Sequence, residues 1–256
     1  MTAIAIPIQT NQTAPRRVLS VTRLHFVNKW QILYLPLLIL AFIFLLDLAI
    51  WWLILTAQSS THDRHSAEKG LNFTGSIFYI YVYVLIIAIQ AVSRTFPFAL
   101  GFGVTRRNYY LGTSAAFVGL GVVFSAILTA GSVIENATGG WGIGGHFFTT
   151  AYFHDGSWGL RFVIFLLLFL FAMFFGSAAA SVFVRWKATG LTVFFGALAL
   201  LLLGGGALIT LNNGWLGFWG WFGEAGSLGV ALWSLVPTAV AAIAGYFILQ
   251  RATPKS

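Results

Sequence analysis

Cysteine is absent from the 256-residue chain, and acidic residues number only six. Without cysteine the chain has neither disulfides nor thiolate metal ligands. Charged residues make up only 8% of the sequence, whereas a soluble domain carries about 25%. Apolar residues supply 59% instead. This composition is that of a membrane protein, and the long apolar runs predict an all-α, polytopic fold.

A nucleotide-binding loop is also missing. The pattern Gly-x-x-x-x-Gly-Lys-Ser/Thr does not occur, because the one lysine followed by a serine, Lys255, is preceded by Pro254. The glycine-rich stretch from Gly142 to His146 follows no predicted strand, so we expect a flexible outer loop there and not a phosphate cradle. We therefore expect no cofactor in this chain, and no catalytic constellation points to an enzyme.

Six apolar segments each have about the 20 residues needed to cross a bilayer. They are predicted at about 32–56, 73–95, 110–131, 159–182, 190–210 and 229–249. Residues 1–15 are polar and predicted to form a flexible tail. Residues 16–30 predict an interfacial helix with Leu19, Phe26, Val27 and Trp30 on its apolar stripe and His25 on the opposite face. In the fifth span, Gly204-Gly205-Gly206 predicts a bend.

The basic residues indicate an orientation. With the N-terminus inside, 11 of the 14 lysines and arginines fall in cytoplasmic segments. Five of the six acids fall outside: Asp63, Glu68, Glu135, Asp155 and Glu224. This positive-inside asymmetry predicts that both termini are cytoplasmic. The net charge of +8 then reflects membrane topology, and it does not indicate nucleic-acid binding.

Asp47 is the only acid inside a predicted span. Burying a carboxylate in a bilayer costs about 2.5–3.5 kcal/mol on insertion scales, so it marks a candidate transport-pathway residue. The alternative is a structural carboxylate that is hydrogen-bonded to a neighbouring helix or reaches water. Outer histidines and acids are candidate metal ligands, although solvated side chains explain them better: His62, Asp63, His65, His146, His154 and Asp155.

A compact basic elbow connects the second and third spans. Pro97 is predicted to open a short helix, and Gly101 and Gly103 to end it with positive φ. Thr105 is predicted to cap a new helix that begins with the adjacent pair Arg106 and Arg107. Such an elbow offers another protein a surface on which to act.

The segment 212–227 before the last span is too glycine-rich for another span and too apolar for water. It predicts a short re-entrant hairpin in the outer leaflet that closes the pathway, with Glu224 at its rim. The alternative is an aromatic anchor that only holds the flanking spans at the right depth. Either role depends on the tryptophans Trp215, Trp219 and Trp221.

The elbow sequence Gly101-Phe-Gly-Val-Thr-Arg-Arg-Asn-Tyr-Tyr-Leu-Gly-Thr113 resembles the segment between spans two and three in permease subunits of bacterial type-2 ATP-binding-cassette (ABC) exporters, particularly actinobacterial ones. The plan of six spans, an interfacial helix and a basic Arg185-Trp-Lys187 turn is also similar. The resemblance implies a single transmembrane permease domain over 1–256 in the bacterial plasma membrane.

The same resemblance implies partners. A second permease copy or a homologous permease would complete the pathway, and separate cytoplasmic ABC ATPase subunits would bind ATP and Mg. The coupling contact would be formed by Pro97, Phe98, Gly101, Gly103, Thr105, Arg106 and Arg107. The alternative class is a secondary carrier or channel that needs no ATPase and uses Asp47 as a proton or cation site.

Overall fold

A computed structural model describes residues 14–58, 67, 70–71, 75–150 and 156–252, most of which are helical, with no strand among them. A π-helical turn, Trp30–Tyr34, leads into the first long helix, and Gly140–Gly144 forms a tight turn with Trp141 and Gly142 at positive φ. Five helical stretches of the described chain are long and apolar enough to cross a membrane. The expected polytopic helical membrane protein is confirmed at this level. The helices are α1 (Ala14–His25), α2 (Leu35–Ala57), α3 (Phe78–Gly101), α4 (Arg106–Ala137), α5 (Trp158–Leu211), α6 (Trp215–Trp233) and α7 (Leu235–Gln250).

Helix α5 reverses direction at Lys187. The rings of Phe175 and Phe194 lie 6.0 Å apart, whereas 19 residues of continuous helix would separate them by about 28 Å. Lys187 has the non-helical angles φ 58° and ψ −149°, so the chain folds back there into two antiparallel halves, 158–186 and 188–211. The turn lies between the predicted fourth and fifth spans. Gly204, Gly205 and Gly206 stay helical and do not interrupt the second half, and the bend predicted there stays a prediction.

A second reversal divides α6. The rings of Trp221 and Trp233 lie 6.0 Å apart, although 12 residues of continuous helix would span about 18 Å. Gly226 makes this turn with φ 62° and ψ −177°, a conformation that residues with a side chain rarely adopt. Segment 212–227, expected to be a short hairpin of non-helical backbone, is therefore mostly helical and folds back on the second arm of α6, 227–233.

The first half of α5 is the centre of the fold and packs against α3, α4 and α7. All buried residues of α5 lie between Arg161 and Val184. Small residues allow the close approach that helices in membranes use. At Gly176, a Cβ atom would lie 2.6 Å from the Leu85 carbonyl oxygen of α3. By contrast, none of residues 188–211 is buried, and α2 buries only Pro36, Leu40, Trp51 and Leu55.

The prediction that Pro97 opens a separate helix is wrong. Helix α3 starts at Phe78 and continues through Pro97 to Gly101. Proline costs one hydrogen bond inside a helix. Here the buried face continues past it with Phe96 and Ala99, so tertiary packing keeps the last turn helical. Of the two glycines expected at positive φ, only Gly103 has it, at 76°.

Three predicted boundaries also change. Residues 1–13 lie outside the described chain, whereas Ala14 and Pro15 belong to α1 and not to a tail. Helix α1 ends at His25, five residues before the predicted end of the interfacial helix. Helix α4 continues from Arg106 to Ala137, well beyond the predicted span 110–131. The start of the predicted span 73–95 falls partly on residues 72–74, which lie outside the described residues.

Candidate functional site

The elbow is a tight turn between α3 and α4. Gly103 adopts φ 76°, and the Thr105 side chain accepts a hydrogen bond from the Asn108 amide at 3.3 Å. Thr105 itself is extended, with φ −70° and ψ 147°, so the predicted N-cap of the helix starting at Arg106 is confirmed. Cap and glycine together let the chain reverse within four residues.

Two phenylalanines stand out from this turn. The rings of Phe98 and Phe102 pack edge to face at 4.6 Å, and their side chains remain 55% and 75% exposed. Pro97, next to Phe98 in the chain, and Arg107, in the first turn of α4, are also exposed. Phe98 is among the predicted site residues, whereas Phe102 is not. Exposed aromatic side chains and an arginine are the residue types enriched in interface hot spots.

Arg106 has a different role from its neighbour. Its Nη1 donates a 2.6 Å hydrogen bond to the Gln250 carbonyl oxygen at the end of α7. A helix C-terminus has unpaired carbonyls and a partial negative charge, so a guanidinium is favourable there. Arg106 therefore joins the elbow to the last helix. Of the predicted arginine pair, only Arg107 projects as an exposed cation.

The cytoplasmic segments predicted from charge lie at one end of the bundle. The Arg106–Gln250 bond places the end of α7 beside the elbow. Gly245, five residues before Gln250 on α7, lies close to the hydroxyls of Tyr110 and Ser181. Because Ser181 is only six residues before Lys187, the Lys187 turn lies at the same end of the bundle. Helix α1 also packs there, against the start of α4. A single basic face thus collects segments that are far apart in sequence.

The elbow lies further toward the basic end of the bundle than the start of α2 does. Gln31 Nε2 donates to Gln90 Oε1 at 3.2 Å, which fixes the start of α2 level with Gln90. Eleven residues of helix separate Gln90 from Gly101, or about 17 Å. Trp30 and Tyr34 are exposed at the level of Gln31 and have the side chains that mark a membrane interface. Phe102 therefore lies about 17 Å further toward the basic end of the bundle than Gln31.

Helix α1 packs onto α4 more closely than an interfacial helix needs to. A Cβ atom on Gly112 would lie 2.6 Å from Val21 Cβ, and Thr22 Oγ1 donates to the Gly112 carbonyl at 3.0 Å. His25 is 5% exposed and bonds Thr113 Oγ1 at 2.9 Å. His25, predicted on the polar face, is thus buried against α4 together with Val21, whereas Leu19, Val27 and Trp30 of the predicted apolar stripe are exposed, as a stripe that faces the membrane would be. Because a glycine on the neighbouring helix makes the groove, the α1 sequence alone could not show it.

Acidification should loosen α1. Burial lowers the pKa of His25 from 6.5 to about 4, so the packed helix holds a neutral imidazole. Packing is then fully stable above pH 6.5 and weakens as the pH falls towards 4. At pH 5 we expect a loss of about 2 kcal/mol. Hydrogen exchange of the α1 amides, corrected for intrinsic rates, measures this loss.

The control for the acid effect is His25→Gln, which retains a hydrogen-bonding partner for Thr113 but does not titrate. Its α1 protection should lack the step between pH 6.5 and 5. An equal step in both proteins would show that His25 is not the responsible group.

At the opposite end, Glu135 is fully buried and organises the loop that follows α4. Its Oε2 accepts hydrogen bonds from the amides of Phe147 and Phe148 at 2.8 and 2.9 Å, and from Trp141 Nε1 at 2.9 Å. Its Oε1 accepts from the Thr149 amide at 2.8 Å and from the Thr149 hydroxyl. The stretch from Gly142 to His146, expected to be a flexible loop, is instead held closed by this carboxylate. The placement of Glu135 on the outer side stays a prediction.

An aromatic cluster seals the same loop against α2. The Phe44 ring lies 4.7 Å from Trp141, 5.3 Å from Phe147 and 5.8 Å from Phe148. At Gly131 of α4, a Cβ atom would lie 2.8 Å from the Phe148 ring, so glycine is needed there. Since Phe44 lies near the middle of α2, the loop penetrates between α2 and α4 and does not rest on their ends.

The remaining predicted site residues are dispersed. Asp47 is half-buried on α2. Trp215, Trp219, Trp221 and Glu224 are exposed on the first arm of the α6 hairpin. In that arm Phe218 packs edge to face against Trp215, Trp219 and Phe222, at 5.0–5.9 Å between ring centroids. The hairpin therefore has an aromatic surface of its own.

No metal cluster forms among the described residues. His146 Nδ1 lies 2.9 Å from Thr149 Oγ1 and 3.7 Å from Glu135 Oε1. Because the Thr149 hydroxyl donates to Glu135, it accepts from His146, which assigns the proton to Nδ1. His146 is thus part of the Glu135 network. His62, Asp63, His65, His154 and Asp155 lie outside the described residues.

Comparison with known proteins returns no relative: no protein-family model, no curated protein and no solved structure matches the chain. Two features of the structure bear on function: a protruding aromatic elbow at the basic end and a closed, carboxylate-held loop at the other.

Proposed function

We propose that this chain is the membrane-spanning subunit of an ATP-driven exporter, coupled to separate cytoplasmic ATPase subunits through the elbow. The observation that carries the proposal is the exposed, mutually packed Phe98–Phe102 pair at the turn between α3 and α4. In the proposed orientation this turn would lie outside the bilayer on the cytoplasmic side, where a protein groove is the natural environment for an exposed aromatic pair. The resemblance of the elbow to the coupling segment of type-2 ABC exporters supports the same assignment.

The coupling path in this proposal is short. ATP-driven closure of the ATPase subunits would push the elbow, which is bonded to α7 through Arg106 and Gln250. Movement of the elbow would therefore reach the last helix and the start of α4 together. Packed helices transmit such a displacement because they slide as units, and this could switch the pathway between inward- and outward-facing states.

The same proposal includes six membrane crossings and a second permease copy. The reversal at Lys187 divides the 54-residue α5 into two halves of about 35–45 Å, each long enough for a bilayer. The two least buried segments, α2 and 188–211, would then face lipid or the second copy. The α6 hairpin would re-enter the outer leaflet beside the pathway, with Glu224 near its turn.

Co-purification tests the proposed function. The tagged chain, extracted in mild detergent from its native host, should retain a subunit that carries a nucleotide-binding loop and hydrolyses ATP. Retention of such a subunit at near-stoichiometric yield supports the exporter. A monodisperse, folded chain that transports without any ATPase would instead support the carrier that uses Asp47.

Cysteine labelling tests the orientation. Because the chain has no cysteine, single cysteines can be placed on a clean background. Asn136→Cys, exposed at the end of α4, should react with an impermeant maleimide added to intact cells. Gly101→Cys, where a side chain meets no neighbour within 4 Å, should react only after the membrane is opened. Reversed labelling would contradict both the topology and a cytoplasmic elbow.

A further inference from the structure

A small cavity, mostly apolar in its lining but with several polar side chains, lies where α1 meets the start of α2 and the middle of α3. Its volume is about 180 Å³. The side chains that bear on its chemistry are Asn28, Gln31, Gln90 and Arg94, with Val27 and Ile87 on its apolar side. It is separate from the exposed elbow and from the Glu135 network, and no step of the proposed coupling uses it.

The depth of this cavity is set by its neighbours. Gln31 and Gln90, which line it, are bonded to each other at 3.2 Å. Trp30 and Tyr34 flank Gln31, with rings 6.1 Å apart and more than half of each side chain exposed. Tryptophan and tyrosine are enriched at the headgroup level of a bilayer. The cavity therefore opens at the headgroup level, on the basic side of the protein.

The polar side chains of the cavity include one cation and three carboxamides. Arg94 contributes a guanidinium, which is always charged and binds phosphate oxygens in pairs. The amide of Asn28 donates to Gln31 Oε1 at 3.3 Å, so the amides are linked and ordered. No aspartate or glutamate is among the described residues that line the cavity, so no lining carboxylate competes for Arg94.

Size and surroundings restrict the ligand. Pockets for drug-sized molecules occupy about 300–1,000 Å³, so a cavity of about 180 Å³ suits only a small headgroup. Val27, which is 77% exposed, and Ile87 continue its wall as an apolar surface. A ligand with one phosphate group and apolar tails fits both the small cavity and the apolar surface that continues its wall.

We propose that this cavity binds the phosphate of an anionic phospholipid from the inner leaflet. Arg94 would hold the phosphate, Asn28 and Gln90 would donate to its oxygens or to the glycerol, and the acyl chains would follow Val27 and Ile87. The lipid would bridge α1 to α3 and help to hold α1 against the bundle. Because no ATPase takes part in lipid binding, a test of this site does not depend on the proposed exporter function.

Lipid titration of the purified full-length chain tests the site. Phosphatidylglycerol in mixed micelles should bind more tightly than phosphatidylcholine, as counted by native mass spectrometry. Arg94→Gln should weaken phosphatidylglycerol binding about tenfold, since one charge-assisted contact is lost. Arg94→Lys keeps the charge but loses the paired geometry, so its affinity should be intermediate. It also serves as the test variant if Arg94→Gln does not fold.

The matched control is Arg23→Gln, an exposed arginine of α1 outside the cavity, which should bind the lipid like the wild type. Equal losses in Arg23→Gln and Arg94→Gln would overturn the proposal, because general surface charge would then explain the preference. Equal binding of phosphatidylcholine would also overturn it. Displacement of the lipid by millimolar glycerol phosphate would show a site for free phosphate and contradict a lipid site.

Discussion

Phe102→Asp is expected to weaken binding of the ATPase subunit about a hundredfold. Burying a phenylalanine at an interface contributes about 1.5–3 kcal/mol, and an unpaired carboxylate in its place adds a desolvation cost. Together these terms amount to roughly 3 kcal/mol, or about two orders of magnitude in affinity. Phe102 is 75% exposed, so the chain itself should fold normally. The yield of co-purified ATPase, or its affinity in reconstituted membranes, measures the effect.

The matched control is Phe102→Leu, which keeps an apolar side chain and should retain binding to within about tenfold. Arg107→Glu provides a second test of the elbow, because Arg107 is exposed in the first turn of α4. Arg106 is less suitable, since its reversal would break the bond to the Gln250 carbonyl oxygen and disturb α7. Undiminished ATPase binding by a correctly inserted Phe102→Asp protein would place the docking surface elsewhere.

Glu135→Leu is expected to destabilise the protein by about 3–5 kcal/mol. The substitution leaves three backbone amides, the Thr149 hydroxyl and the Trp141 indole without their acceptor. Each buried donor that loses its partner costs about 1–3 kcal/mol, partly recovered if water enters the loop. Few single substitutions have so large an effect. Thermal unfolding in detergent and proteolysis of the 138–150 loop measure it.

Two further variants make this result specific. Glu135→Gln keeps one carboxamide oxygen as an acceptor, so its stability should lie between the wild type and Glu135→Leu. Asn136→Leu changes the exposed neighbour on the same helical turn and should melt like the wild type. If Glu135→Leu unfolds at the same temperature as the wild type and its 138–150 loop resists protease equally well, the carboxylate does not hold the loop.

The membrane-spanning helices were predictable because twenty apolar residues in sequence have few alternatives to a helix. The turn at Arg185-Trp186-Lys187 was predictable for a related reason, since charges interrupt an apolar run. The prediction for Pro97 is wrong because proline by itself favours a helix start, whereas the burial of Phe96 and Ala99 on either side of it keeps α3 helical. Single-residue signals fail where packing from another helix decides the outcome.

The candidate site was predictable only in part. The Thr105 cap and the Gly103 turn follow from local chemistry, and the sequence shows both. The exposure of Phe102 and the burial of Glu135 depend on contacts with no local pattern. Glu135 binds backbone amides 12 to 14 residues away, and an amide can be supplied by almost any residue type. A sequence pattern does not record such partners.

Photo-crosslinking at position 102 tests the central claim most directly. A photoreactive phenylalanine analogue replaces Phe102 in the native host, and the cross-linked protein is identified by mass spectrometry. The account predicts a subunit with a nucleotide-binding loop. The control probe replaces Phe42, exposed on α2 within the membrane, and should not capture that subunit. Failure of the Phe102 probe to capture any ATPase in a correctly inserted protein, or equal capture from Phe42, would contradict the account.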